Sequence, residues 1–368
     1  MNKPNDLVRT SIDADDIDCN ASPNEHFNTI LNARLSRRNL LRGGAVTAAT
    51  AVMGSMGLSA CGGSDNPAPA ATPVTPPVAE KLLGFTAVSK SLADQVSVPA
   101  GYTATAIYAL GDPLRAATPA YKNDGTDADF ENRAGDHHDG MEYFGLSAAG
   151  APLASGVERG LLAVNHEATT DEKLASHFLH VNGGTTSLPR PAVEVDKEVA
   201  VHGVSVIEVK KTGSTWATVT DSAFNRRITP LTDIEIAGPA RGNALLVTKY
   251  SPTGTRTRGT LNNCGTGKSP WGTYLTGEEN WANYFARGAT DDAARGDKSV
   301  VALKRYGRNQ GATSRHGWET GGTDDKYARW DISKKGASAD GSDDYRNEMN
   351  GMGYIVEMDA YDLSLIHI

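Results

Sequence analysis

One stretch of this sequence, residues 262–280, indicates both the fold class and the chemistry of the chain, and it reads NNCGTGKSPWGTYLTGEEN. Its first part is rich in Asn, Gly and Thr, residue types that favour turns. Residues 270–276 follow with the composition of a short β-strand, which ends in the polar sequence Gly277-Glu278-Glu279-Asn280. The stretch therefore predicts short strands between polar turns, with a thiol before one strand and two carboxylates after it.

Short apolar segments recur between turn signals elsewhere in the chain, at residues 103–109, 161–164, 199–209, 244–249 and 354–359. Their lengths suit strands, and no long amphipathic pattern interrupts them. The 39 glycines and the 7% content of aromatic residues also favour many turns between short elements. We therefore predict an all-β fold. No repeat of about 40–45 residues is visible, so a regular repeat propeller is not supported. Residues 308–346 are expected to form a long loop or insertion.

The charge balance excludes one large class of partner. The chain has 36 basic and 44 acidic residues and a net charge of −8, the wrong sign for a protein that binds the phosphate backbone of nucleic acids. Clustered carboxylates could instead hold hard cations such as calcium.

The first 60 residues are predicted to be an export signal. Arg37 and Arg38 precede a short run of small and apolar residues at 43–60, which is the twin-arginine pattern. Four glycines interrupt this run, and it is too short and too weakly apolar for a membrane-spanning helix. A buried helix hairpin is the alternative interpretation, and it fits the next segment poorly.

A lipid anchor is expected directly after the signal. The sequence Leu58-Ser59-Ala60-Cys61 resembles a lipobox, in which the Cys61 thiol receives the lipid. Residues 61–80, rich in Pro, Ala and Thr, are predicted to be a flexible linker. The expected location is therefore the periplasm or outer membrane of a Gram-negative bacterium, reached through the twin-arginine translocase. Cleavage without lipid attachment is the alternative.

Cys264 is left without an intramolecular partner, because Cys19 lies in the leader and Cys61 is the expected lipid site. A single thiol in an oxidising compartment is either buried and inert or a reactive or metal-bound sulfur. The polar turn around Cys264 and the nearby carboxylates favour a mixed soft and hard metal site.

The same stretch resembles the PhoX family, in which Asn-Cys, Pro-Trp-Gly-Thr and Glu-Glu recur at this spacing. Further segments agree in the same order along the chain, namely residues 135–141, 160–167, 202–206, 225–229 and 353–359. The resemblance covers residues from about 85 to 362. It departs from the family pattern at Gly277 and Ala360. It implies a β-propeller-like domain and an alkaline phosphatase that hydrolyses phosphate monoesters with calcium and ferric iron. A monomer is expected.

The resemblance also implies a set of metal ligands. Cys264 would bind ferric iron through its thiolate, and Glu357 would supply a carboxylate from a later strand. Glu279, Asp139 and Glu167 are further candidates, whereas the catalytic residue is not identified. Without the resemblance, Glu357 would be taken for part of a solvated strand face. Glu279 is only slightly favoured over its neighbour Glu278.

Other polar residues have simpler explanations. Loop hydrogen bonding is expected for His137, His138 and His166, because their spacing does not match a zinc site on a helix. Arg226 and Arg227 could clamp a phosphate, but surface ion pairs are the favoured interpretation. The chain has no Gly-Lys-Ser phosphate loop and no Gly-x-Ser-x-Gly elbow.

Residues 363–368, Leu-Ser-Leu-Ile-His-Ile, break the family pattern and resemble a translated sequencing adapter. We expect the natural protein to continue beyond 362, so that residues 81–362 form only the N-terminal part of the phosphatase domain. This chain would then lack some ligands and be inactive. The alternative function is a non-catalytic surface propeller that binds a ligand or partner. A redox protein is not indicated, because no flavin, haem or quinone motif is present.

Overall fold

The structure is a computed structural model that describes residues 84–154, 158–169, 179–362 and 366–367. Most of the regular structure in these residues is β-strand, as predicted. The strands, in chain order, are β1 His138–Leu146, β2 Pro152–Leu153, β3 Arg159–His166, β4 Gly203–Thr212, β5 Thr215–Thr218, β6 Arg226–Ile228, β7 Asp233–Glu235, β8 Arg256–Arg258, β9 Asn263–Lys268, β10 Tyr274–Glu278, β11 Ile355–Met358 and β12 Ile366–His367. The described helices are α1 Ala192–Val201, α2 Asp291–Arg295, α3 Ser299–Arg305 and α4 Asp325–Ala328.

The first sheet has the strand order β2-β1-β3-β4-β5, and β6 also pairs with β4. The long central pair is antiparallel and runs without interruption from Arg159 opposite Lys210 to His166 opposite Gly203. Both strands are buried along most of their length. Burial on both faces explains why residues 161–164 of β3 read as a continuous apolar run and not as an alternating pattern.

The second sheet has the strand order β8-β7-β12-β11-β10-β9. In its centre, Thr276 of β10 lies opposite Thr266 of β9 on one side and Val356 of β11 on the other. Residues directly opposite each other in a ladder point to the same face of the sheet. These three side chains therefore share one face.

One hydrophobic core lies between the two sheets. Its members from the first sheet include Phe144, Leu161 and Val206, and those from the second include Tyr274 and Val356. All are at most 2% exposed. This packing brings β1 and β3 of the first sheet against β9 and β10 of the second, and the candidate site lies at this junction.

Four of the predicted strands are wrong in part or entirely; in the one predicted at residues 270–276, only the last three residues lie in β10. Residues 199–209 divide between the end of α1 and most of β4, separated by a bend at His202. Residues 103–109 form no strand, and residues 244–249 contain a short 3-10 helix, Ala244–Leu246. Tertiary packing explains the helix α1: Val195, Val199 and neighbouring residues are buried against other elements, which overrides the β preference of valine.

The predicted loop at 308–346 is confirmed in outline, since it contains only the 3-10 helix Trp318–Thr320 and the short helix α4. Within the described ranges, no helix combines the length and the apolar character needed to cross a membrane. The predictions for Arg37, Arg38, Cys61 and the linker fall outside the described residues. Of the predicted non-native tail, only Ile366–His367 is described, as strand β12 between β7 and β11.

Candidate metal centre

Four of the five residues predicted as metal ligands lie together where the two sheets meet. Asp139 belongs to β1, and Glu167 directly follows β3, at the same end of this antiparallel pair. Cys264 belongs to β9, and Glu279 directly follows β10, again at one end of an antiparallel pair. Each sheet therefore contributes two of the four side chains, which we call the thiol-carboxylate cluster.

Irregular strand pairing shapes both halves of the cluster. The register of β1 against β3 shifts between His138 and Met141, the interval that contains Asp139. The register of β10 against β9 shifts between Thr276 and Glu278, just before Glu279. Bulges of this kind redirect side chains and are common beside active sites.

The backbone beside the cluster adopts unusual conformations. Three residues other than glycine have a positive φ there: His137 with 47°, Asn262 with 51° and Asn280 with 44°. Each is a neighbour or near neighbour of a cluster residue in the sequence. Left-handed backbone at such residues costs free energy and persists where the surrounding structure enforces it, which is common at functional sites.

The ligand atoms of the cluster converge closely. One carboxylate oxygen each of Asp139 and Glu167 and the sulfur of Cys264 lie within 4.8 Å of one another. Hydrogen bonds of the thiol to the carboxylates of Asp139 and Glu279 raise the pKa of Cys264 above its usual range, and burial and the two negative charges add to the effect. Without a cation, the sulfur is therefore held as a thiol that donates to a carboxylate.

Glu167 experiences the same concentration of negative charge. Burial raises its pKa, and the charges of Asp139 and Glu279 raise it further, whereas His137 and Arg315 act in the opposite direction. Carboxylates gathered in this way repel each other unless a cation or a proton lies between them.

The chemistry of these groups fits a metal ion. Carboxylate oxygens suit hard cations such as calcium, and a thiolate among carboxylates suits iron. The two residues before Cys264 in the sequence, Asn262 and Asn263, have buried side-chain oxygens that accept no hydrogen bond within the described residues. Sequence reasoning missed Asn262, although its position two residues before the cysteine was visible.

The structure separates Glu279 from Glu278. The side chain of Glu278 accepts hydrogen bonds from Thr260 Oγ1 at 2.9 Å and from the amide of Gly353 at 2.8 Å, and it thus holds neighbouring loops together. Glu279 instead contacts the thiol of Cys264. Glu279, and not Glu278, therefore lies beside the thiol, and its role as a metal ligand stays a prediction.

Glu357 is not part of the cluster. It lies opposite Leu275 in the ladder between β10 and β11, so it occupies the opposite face of the sheet from Val356. Its carboxylate accepts hydrogen bonds at 2.5 Å from Trp271 Nε1 and from Thr273 Oγ1. Its assignment as a metal ligand stays a prediction, without support from this arrangement.

The histidines make hydrogen bonds, but His138 and His166 lie in the strands β1 and β3 and not in loops as predicted. His166 Nε2 lies 2.8 Å from Ser205 Oγ, and His138 Nε2 lies 3.2 Å from the carbonyl oxygen of Gly135. Burial lowers the pKa of both rings, which favours neutral imidazoles. His137 pairs with Asp136 at 3.2 Å.

Neither arginine interpretation fits the structure. Arg227 donates to five backbone carbonyl groups, at distances from 2.6 to 3.4 Å. Arg226 donates to the carbonyl groups of Asp359 at 2.5 Å and of Ala360 at 3.2 Å. Burial lowers the pKa of both to about 10. Both guanidinium groups therefore link backbone segments, and surface ion pairing is wrong for them because they are enclosed by chain.

Comparison with known proteins agrees with the sequence resemblance. The model of the family described as alkaline phosphatase PhoX matches residues 83–366. A solved structure described as "Pseudomonas fluorescens PhoX in complex with vanadate, a transition state analogue" superposes with a TM-score of 0.64 and 32% sequence identity. The match covers 78% of this chain and 44% of that one, so the chain spans less than half of that protein's length. No curated protein matches the chain.

Proposed function

Because this chain belongs to the alkaline phosphatase PhoX family, we propose that the whole protein hydrolyses phosphate monoesters at the thiol-carboxylate cluster. The predicted fold class is shown by the structural match to a member of this family. One observation carries the proposed activity: ligand atoms of Asp139, Glu167 and Cys264 converge within 4.8 Å at the junction of two sheets. A surface propeller without catalysis would have no need for such a concentration of ligands.

The proposed cofactors are calcium and ferric iron. Asp139, Glu167 and Glu279 offer hard oxygen ligands, and Cys264 offers a sulfur that loses its proton when a cation binds. Bound cations would neutralise charge on the phosphoryl oxygens and polarise the attacking oxygen.

We propose a substrate-binding role for Arg315. Its positive charge lowers the pKa of Glu167. The side chain is exposed. A cation at the edge of an acidic site attracts a phosphate dianion and offsets its repulsion from the carboxylates.

The test of the proposed function combines metal analysis with hydrolysis of a chromogenic phosphate monoester. The whole protein, isolated with its leader, should contain iron and calcium, lose activity with a calcium chelator and be inhibited by vanadate. Replacing Cys264 by Ser should remove the sulfur-to-iron charge-transfer absorbance, most of the iron and the activity.

The matched control is Glu142→Gln, which removes a half-buried carboxylate from the same strand as Asp139 but outside the cluster. It should retain both metals and activity. A Cys264→Ser protein with wild-type iron content and full activity would refute the proposed site.

We also propose twin-arginine export and a lipid anchor, on the sequence pattern alone. Replacing both Arg37 and Arg38 by Lys should keep the protein in the cytoplasm, because the export receptor reads the arginine pair. Replacing Cys61 by Ala should leave export intact and release the protein from the membrane fraction. Normal export of the first variant, or membrane retention of the second, contradicts the corresponding proposal.

A further inference from the structure

The two halves of the thiol-carboxylate cluster belong to different hydrogen-bonded sheets. Glu167 directly follows β3 of the first sheet, whereas Cys264 belongs to β9 of the second. No strand ladder joins β3 to β9 in the described residues. Side chains must therefore fix the separation between the sulfur and the carboxylates of the first sheet.

The fully buried side chain of Asn165 spans this junction next to the cysteine, and that of Asn262 spans it as well, by donating to the carbonyl oxygen of Glu167 at 3.1 Å. Asn165 Nδ2 donates to the carbonyl oxygen of Cys264 at 2.8 Å. Its Oδ1 accepts hydrogen bonds from Tyr274 Oη at 2.7 Å and from Thr276 Oγ1 at 3.0 Å. All three partners belong to the second sheet, and Asn165 itself lies two residues before Glu167 in the first.

The orientation of this amide is determined by its partners. A carbonyl oxygen can only accept, so the nitrogen of Asn165 must face Cys264 and the oxygen must face the two hydroxyl groups. Thr276 Oγ1 is in turn an acceptor for Asn263 Nδ2 at 3.0 Å, which leaves its own proton for Asn165. Each bond thus has one possible direction, and a directed buried network specifies a single arrangement.

We propose that Asn165 is a positioning residue that fixes the backbone of Cys264 relative to Glu167 and so sets the sulfur-to-carboxylate spacing of the metal site. This inference rests on the proposed metal centre. Outer-shell partners of metal ligands typically contribute about 10- to 100-fold to metal affinity. Asn165 would act in this way through a backbone carbonyl, without touching the metal itself.

The chain offers a matched control in Asn225. This residue is also fully buried and also makes three side-chain hydrogen bonds: to the amide of Glu208 at 2.8 Å and to the carbonyl groups of Val219 at 2.8 Å and Leu114 at 3.2 Å. It lies away from the cluster. Replacing either asparagine by Ala removes an equal number of bonds, so the two variants should lose similar thermal stability.

The experiment titrates cobalt(II) into chelator-treated protein and follows the sulfur-to-cobalt charge-transfer band. Asn165→Ala should bind cobalt about 10- to 100-fold more weakly than wild type. Its charge-transfer band should lie at a different wavelength or have a lower absorbance per bound cobalt ion. Asn225→Ala should keep the wild-type affinity and band. Tyr274→Phe keeps the ring and removes one of the two hydroxyl groups that orient the amide of Asn165. It should also weaken cobalt binding and change the band, by a smaller factor than Asn165→Ala.

The outcomes separate this inference from the proposed function. If the band depends on Cys264 but Asn165→Ala and Tyr274→Phe behave like Asn225→Ala, the positioning role is wrong and the metal centre stands. If Asn165→Ala does not fold, Tyr274→Phe decides between the same two results. A band that is unchanged in Cys264→Ser overturns the metal centre and this inference together.

Discussion

The replacement Glu167→Gln should stabilise the metal-free protein and weaken its response to metal. The structure gathers ligand atoms of Asp139, Glu167 and Cys264 within 4.8 Å, and Glu279 adds a further negative charge. Gln keeps the size of the side chain and removes its charge. Without a cation it should therefore relieve repulsion, whereas with a cation it removes a ligand.

The expected gain follows from Coulomb's law. The ligand atoms lie within 4.8 Å of one another. At that limiting distance two unit charges repel by about 1 kcal/mol in water and by about 3.5 kcal/mol at an effective dielectric constant of about 20. Asp139 is exposed and Glu167 is half-buried, so solvent and salt screen the pair and the lower value applies. A gain of about 1 kcal/mol corresponds to a rise of about 2–4 °C in Tm for a domain of this size.

The pH dependence has a definite sign. Burial and the neighbouring charges raise the pKa of Glu167 in the folded protein. A raised carboxyl pKa means that the folded state binds the proton more tightly than the unfolded state does, so the ionised group costs stability at higher pH. The advantage of Glu167→Gln should be full at neutral pH and should disappear as the pH falls through the folded pKa of Glu167, where the wild-type side chain is also uncharged.

The assay is thermal unfolding of chelator-treated protein, measured by circular dichroism with and without added calcium. Glu142→Gln serves as the control, because Glu142 is half-buried on β1 outside the cluster, and it should change neither the metal-free Tm nor the calcium response. The reasoning fails if Glu167→Gln lowers the metal-free Tm, or if calcium raises its Tm as much as it raises that of wild type.

Two further predictions concern charge at other positions. Arg315→Gln should raise KM for phosphate monoesters several-fold with a smaller change in kcat. The control Arg305→Gln, at an exposed position on α3, should leave KM and kcat unchanged. If steady-state kinetics give Arg315→Gln the same KM as wild type, Arg315 does not attract the substrate. Burial opposes ionisation of Glu198, but hydrogen bonding to His180 and the charge of Arg190 outweigh it and lower the pKa of Glu198 from 4.5 to about 2. This depressed pKa should contribute about 3 kcal/mol of stability above pH 4.5 that is lost as the pH falls towards 2. Glu198→Gln should lose this contribution, so its free energy of unfolding, measured with urea, should fall less between pH 4.5 and pH 2 than that of wild type. An equal fall in both proteins would contradict the role of the Glu198 contacts with His180 and Arg190.

Local sequence was a good guide to β3 and β11 and located part of β10, because turn residues and apolar segment lengths are properties of neighbouring residues. It predicted no strand at the position of β1. It was a poor guide to residues 199–209, where valines with strand preference end a helix. The difference arises because α1 is buried against side chains from distant segments such as Trp318 and Tyr327. Contacts of that kind have no counterpart in a local pattern.

The sequence by itself determined the fold class and the ligand types of the candidate site. A lone thiol and clustered carboxylates at the ends of short strands indicate a metal site with both sulfur and oxygen ligands. This indication follows from residue type and spacing and does not depend on how the strands pair. Only the tertiary structure distinguished Glu279 from Glu278 and set Glu357 apart from the cluster. A change of one residue in strand register moves a side chain to the other face of the sheet, and two register irregularities lie at this site. The role of Asn165 likewise depends on the packing of two sheets, since its three partners are about 100 residues away in the chain and only folding brings them within hydrogen-bonding distance.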